Sequence, residues 1–139
     1  MKNNHATQRS LKLLRSMGFN CWKTEQWNAF AGIRQDMFKI IDVLAITSDS
    51  TLGVQSGTWK GRHAHLGKLC LKQATESANW VSNKARRKLW LISWRKVLRK
   101  PGGKAVKWIP YIDVINPDLS VTALNQQDLP SQFVCEDED

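Results

Sequence analysis

Two hydrophobic rhythms alternate along the chain. In residues 6–17, Leu11, Leu13, Leu14 and Met17 mark an amphipathic helix, and Gly18 supplies its stop. Residues 19–27 are rich in aromatic and β-favouring side chains and predict a strand. Residues 28–39 mix Gly32 with charges at no clear period, and predict an irregular loop. The apolar run of residues 40–47, broken by Asp42, predicts a central strand covered on both faces. Ser48-Asp49-Ser50 has turn chemistry, and residues 51–57 return as a strand, making 40–57 a hairpin.

The second half repeats the alternation on a longer scale. Residues 59–83 have helical composition with a break near Ala74-Thr75. In residues 88–97, Trp90, Ile92 and Trp94 alternate with Leu89, Leu91 and Ser93 as in a strand; Pro101-Gly102-Gly103 turns the chain, and residues 104–115 pair back. A loop follows from Asn116, then a short helix at 121–128 and an acidic end, residues 136–139, expected to be disordered. Helix, three strands, helix, then one or two strands predicts an α/β fold, a mixed central sheet flanked by helices. One domain is expected over residues 1–115, with an extension over 116–139.

Charge adds a partner to this picture. The chain of 139 residues carries a net +9, and four of its twelve acids are the last four residues, so the remainder is more basic still. Such a body attracts a polyanion. Lys84, Arg86, Arg87, Lys88, Arg95, Lys96, Arg99, Lys100, Lys104 and Lys107 crowd residues 84–107 without one acid, a pattern suited to phosphate contact. Arg62, His63 and Lys68 form a second basic patch at a helix start. Of Trp90, Trp94 and Trp108, two are expected in the core and one is left to stack on bases. His63, His65 and Cys70 have poor geometry for zinc if helical. No phosphate-binding GxxxxGK[ST] or dinucleotide-binding GxGxxG segment occurs. Three scattered cysteines, a polar start and no long apolar run point to a cytoplasmic protein without a membrane partner.

Candidate chemistry centres on Asp42. A charge inside an apolar run is costly unless paired. A turn near 48–49 sets Asp42 opposite Gln55, at about 5 Å for facing residues. Two such oxygens at the end of a hairpin suit a hard divalent cation, Mg²⁺ or Mn²⁺, able to activate water. The alternative is an Asp42 bonded to a loop backbone or to Arg34.

These residues and the order of elements resemble the αβββαβ core of the PD-(D/E)XK nuclease superfamily over residues 6–95, most nearly its small resolvase-like or phage-type endonucleases. The resemblance implies a restriction-endonuclease-like fold and Mg²⁺-dependent hydrolysis of DNA, with homodimerisation common among such enzymes. By this likeness Ile41-Asp42-Val43-Leu44-Ala45-Ile46 is the first half of the motif and Leu52-Gly53-Val54-Gln55-Ser56-Gly57 the second. Asp42 matches. Gln55 stands where an acid is usual, and Gly57 where a Lys is usual; Lys60, or the Thr58 hydroxyl, is the expected substitute from the next helix. Glu25 is the expected added carboxylate, with Asp36 a second candidate. The metal ligands would then be Asp42, Gln55 and Glu25. Loss of the motif's Glu and Lys keeps a second reading open, a non-catalytic nucleic-acid-binding protein on the same fold.

Overall fold

The computed structural model describes residues 5–124 and 135–136. Helix α1 (His5–Ser16) leads into β1 (Asn20–Lys23), a small hairpin β2 (Gln26–Asn28) and β3 (Ile33–Gln35), and then β4 (Val43–Ile46) and β5 (Thr51–Thr58). A 3-10 turn (Trp59–Gly61), α2 (Arg62–Gly67), a π-helical turn (Lys68–Lys72) and α3 (Ala74–Trp80) carry the chain across to β6 (Arg87–Leu98). Next come β7 (Val106–Ile115), β8 (Val121–Ala123) and β9 (Cys135–Glu136).

The main sheet runs β1-β4-β5-β6-β7-β8, with β9 also paired to β7, while β2 and β3 pair only with each other. Among the described residues only β5 and β6 are parallel. Parallel neighbours require a long crossover, and the broken helical segment 59–80 is that connection. The fold is therefore mixed α/β.

Each face of the sheet has its own core. Leu11, Leu13 and Leu14 of α1 pack with Val43, Ala45, Leu52, Val54, Ile92 and Trp94. On the other face Leu69, Trp80 and Val81 pack with Ile40, Ile41, Leu89, Leu91 and Ile115. Fully burying one such aliphatic side chain contributes about 1.5–3 kcal/mol, so both layers are held mainly by these contacts. Gly53 belongs to the second layer because a Cβ there would come within 2.7 Å of Ile41 Cδ1 and 3.0 Å of Trp80 Nε1.

Several expectations need correction. Residues 28–39 are not an irregular loop: they hold the end of β2 and all of β3, with Gln26↔Gln35, Trp27↔Arg34 and Asn28↔Ile33 facing. The expected strand 19–27 is cut at Thr24-Glu25, whose amides turn to the Asp42 carbonyl. The run at 40–46 is covered on both faces, with Val43 and Ala45 in the first core and Ile40, Ile41 and Leu44 at the second. It is not the centre of the sheet, since β4 lies one strand from the edge and leaves Ile46 exposed, while β5 and β6 are enclosed over Leu52–Gly57 and Leu89–Trp94. Residues 121–123 form a strand rather than the start of a helix, pairing with β7, and 125–128 lie outside the described residues. Glu136, expected to be disordered, lies in β9 opposite Lys107; residues 137–139 lie outside the described residues. Among the described residues no helix is long and apolar enough to cross a membrane.

Candidate active site

The acidic residues are gathered by local backbone bonds. Thr24 N and Glu25 N both donate to the Asp42 carbonyl, at 2.8 and 3.3 Å, and Thr24 Oγ1 donates to the Ile41 carbonyl at 2.7 Å. This clamp brings Glu25 beside Asp42. The β2–β3 hairpin then leaves and returns, ending at Asp36. A tight loop follows, closed by reciprocal Met37–Ile41 backbone bonds, with Phe38 and Lys39 at left-handed φ of 54° and 65°. Such conformations cost about 1–3 kcal/mol each in side-chain-bearing residues and persist only where the surroundings impose them. Glu25, Asp36 and Asp42 consequently each offer an oxygen within 4.8 Å of the others.

Asp42 is only 2% exposed. Its Oδ2 accepts from Gln55 Nε2 at 2.7 Å and from Ser56 N at 2.9 Å, while Oδ1 is buried with no donor facing it. Burial, followed by the hydrogen bond and negative charge of Asp36, pushes Asp42 up to about 9. Burial also acts to raise Asp36, but hydrogen bonds with Asp42 and Lys68 and the Lys68 charge together hold it below its ordinary value. The pair thus keeps its proton on Asp42. Glu25 is tied to Arg34 at 3.1 Å and Lys23 at 3.6 Å.

A cation completes the cluster from the crossover. Lys68 Nζ donates to Asp36 Oδ2 at 3.0 Å and to Gln55 Oε1 at 3.1 Å. One helical turn earlier, His65 lies against Gly57: a Cβ on Gly57 would fall 2.6 Å from its Nδ1. A lysine side chain at 57 has no room. His65 Nδ1 is buried without a partner, and burial and the Lys68 charge hold the ring below its ordinary pKa, so it is neutral.

The expected site residues therefore separate into groups. Glu25, Asp42 and Gln55 are brought together, and Asp36 joins them. Lys60 is exposed in the 3-10 turn, and the ammonium at the cluster is that of Lys68, which its place in a basic patch had suggested as a phosphate contact. The sequence signal for Lys68 was its spacing of three from His65, which puts both on one helical face. His63 is exposed and stands apart from the cluster, and Cys70 is a free thiol.

The basic residues differ as much. Arg62 spends its fork on Asp113, with Nε and Nη2 each 2.8 Å from a carboxylate oxygen. Arg87 donates to the Trp80 and Asn79 carbonyls, closing the end of α3. Arg99 bonds the Val106 carbonyl across the β6–β7 ribbon, while Lys84, Arg86, Lys88 and Lys100 are exposed. Arg95 lies 5.6 Å from the Trp59 ring and Lys96 5.9 Å from that of Trp108, both still exposed. Trp90 and Trp94 are core residues, and Trp108 is half-buried beneath Arg9 at 3.7 Å.

The donor set suits a hard cation. With Asp42 ionised, three carboxylates within 4.8 Å would repel one another and Oδ1 would be buried and unsatisfied; a divalent metal would relieve both. Comparison with protein-family models, with curated proteins and with solved structures found no match.

Proposed function

We propose that the protein is a divalent-metal-dependent DNA endonuclease with a restriction-endonuclease-like core, its site built on Glu25, Asp36, Asp42, Gln55 and Lys68. The observation that carries this reading is the convergence of Glu25, Asp36 and Asp42 within 4.8 Å beside the Lys68 ammonium, with one oxygen of Asp42 buried and without a donor. The element order supports the fold: α1, the antiparallel β1-β4-β5 set, a helical crossover, and β6 parallel to β5.

Glu25, Asp36 and Asp42 would hold Mg²⁺ or Mn²⁺, which when bound supplies Lewis-acid charge to a phosphodiester and acidifies water. The chain's own residues do the rest. Lys68 balances charge gained by the phosphate and orients the attacking water, the task usually given to a lysine at the position of Gly57. Gln55 fixes Asp42 through its amide, and Ser56 N holds the same oxygen from the backbone. Water adds to phosphorus, one P–O ester bond breaks, and a phosphomonoester and a free hydroxyl leave. Exposed Arg95, Lys96 and Lys100 grip the backbone without reading sequence.

A binding-only protein on the same scaffold is the second reading, favoured by one observation. Gln55 turns its amide nitrogen, not its oxygen, toward the carboxylates. Incubating supercoiled, linear and single-stranded DNA with Mg²⁺ or Mn²⁺ decides between them. Cleavage should occur and fall at least about a thousandfold in Asp42→Ala, a barrier change of about 4 kcal/mol. DNA left intact on every substrate, with binding retained, would establish the binding-only reading.

A further inference from the structure

The cluster is bordered by aromatic side chains that the fold leaves uncovered. Each of two carboxylates is followed two residues later by one: Glu25 by Trp27, and Asp36 by Phe38. Trp27 is 51% exposed and Phe38 63%. Two residues of chain span about 7 Å at most, so the Cα atoms of Trp27 and Phe38 lie no farther than that from those of Glu25 and Asp36.

The hairpin register orients Trp27 further. Trp27 faces Arg34 across β2–β3, so the two side chains share one side of the ribbon. Arg34 Nη1 is 3.1 Å from Glu25 Oε1, which turns that side toward the acidic cluster. The hairpin tip is braced as well. Asn28 Oδ1 accepts from the Phe30 and Ala31 amides at 3.0 and 3.1 Å, and Gly32 N donates to the Asn28 carbonyl at 2.9 Å. Trp27, half exposed on this braced hairpin, belongs to neither core cluster of the described residues.

We propose that Trp27, with Phe38 beside Asp36, stacks on a base left unpaired next to the phosphate being cut, so that strands with unpaired bases at the cut site are preferred over continuous duplex. This rests on the nuclease reading for the identity of the site. Charge and position point to this occupant: Trp27 and Phe38 lie two residues from Glu25 and Asp36, and the cations at those carboxylates, Lys23 and Arg34 on Glu25 and Lys68 on Asp36, suit a phosphate chain carrying flat apolar bases. A base stacked inside a continuous duplex has no free face to offer. An unpaired one does, and stacking on an aromatic side chain is tolerant of its identity.

The test measures binding in EDTA, where metal-dependent cutting is absent. Fluorescence anisotropy would compare a continuous duplex, the same duplex with a short single-stranded gap, and a single strand. Trp27→Ala should weaken binding to the gapped and single-stranded probes about tenfold while changing the duplex by less than about twofold, with Trp27→Phe restoring most of the loss. Equal losses on all probes, or no loss, would overturn the proposal. So would a wild-type dimer that sediments as a monomer after Trp27→Ala, because the ring would then belong to a protein interface. Selective loss in a protein that never cuts DNA would leave the stacking role standing and refute the nuclease reading alone; no binding to any probe would overturn both.

Discussion

Asp42 and Asp113 are both strand-associated aspartates with 2% exposure, yet their surroundings are opposite. Asp113 on β7 meets the guanidinium of Arg62, which satisfies both oxygens in one fork at 2.8 Å. Its burial is settled by a single partner of opposite sign. Asp42 meets two further carboxylates, takes amide donors on one oxygen, and has none for the other. Depth alone does not separate a structural acid from a functional one. The sign and number of the neighbours do, because only an arrangement that costs energy unless something binds has an evident use for a ligand.

After the loss expected of Asp42→Ala, the next largest effect should come from the cation of the acidic region. Lys68→Ala is expected to lower the cleavage rate about a hundredfold, the scale of losing one preorganised charge at a reacting centre, with Lys60→Ala within about threefold. Equal losses in single-turnover assays would erase the distinction drawn between the two lysines. A smaller effect is expected at the other aspartate. Arg62→Ala should destabilise the fold by about 2 kcal/mol, less than the 3–5 of a fully buried pair because Arg62 is 26% exposed. Denaturant melts would show it, and Mn²⁺ affinity should not move; a parallel loss of metal binding would mean the two regions are coupled.

The smallest effect concerns protons. With Asp42 raised to about 9 from an ordinary 3.8, the fold favours its neutral form. That contribution is complete below about pH 4 and is lost as the pH climbs toward 9. Asp36, shifted downward, has the opposite sign, and its contribution disappears only as the medium turns acid past its lowered value. Metal-free Asp42→Asn, neutral at every pH, should therefore melt above the wild type in mildly alkaline buffer. A difference of at least about 3 °C corresponds to roughly 1 kcal/mol in a domain of this size. A gap that fails to widen between pH 6 and pH 9 would show that Asp42 is already ionised.

What could be read in advance followed from periodicity. α1, the β4–β5 hairpin and the β6–β7 ribbon carry strong alternation, and the turn at 48–50 set Asp42 opposite Gln55 as the pairing of Val43 with Val54 requires. The β2–β3 hairpin was illegible because strands of three residues, Gln26–Asn28 and Ile33–Gln35, are too short to carry a periodic signature. Asp113 drew no notice, since its partner lies 51 residues away. Lys68 reads in the sequence as a phosphate contact; its spacing of three from His65 gives the helical face but not the reach to Asp36 and Gln55, which depends on how the crossover packs on β5. Asp36 depends on two left-handed residues, Phe38 and Lys39, that carry no glycine to announce the turn.

The Ser56 amide that holds Asp42 has a consequence for the order of assembly. The same residue's hydroxyl lies 2.6 Å from Ser10 Oγ, which in turn accepts from Trp94 Nε1 at 2.9 Å. The strand that steadies the acidic cluster is thus fastened behind the sheet to the first helix and to β6. The three carboxylates are near neighbours in the chain and can meet early, but their support spans separations of 46 and 84 residues and waits for the parallel β5–β6 pairing, a slow, non-local step. A nascent chain that has not yet released β6 from synthesis holds the acids without their brace, so the affinity for metal proposed above should be among the last properties to develop as the chain folds.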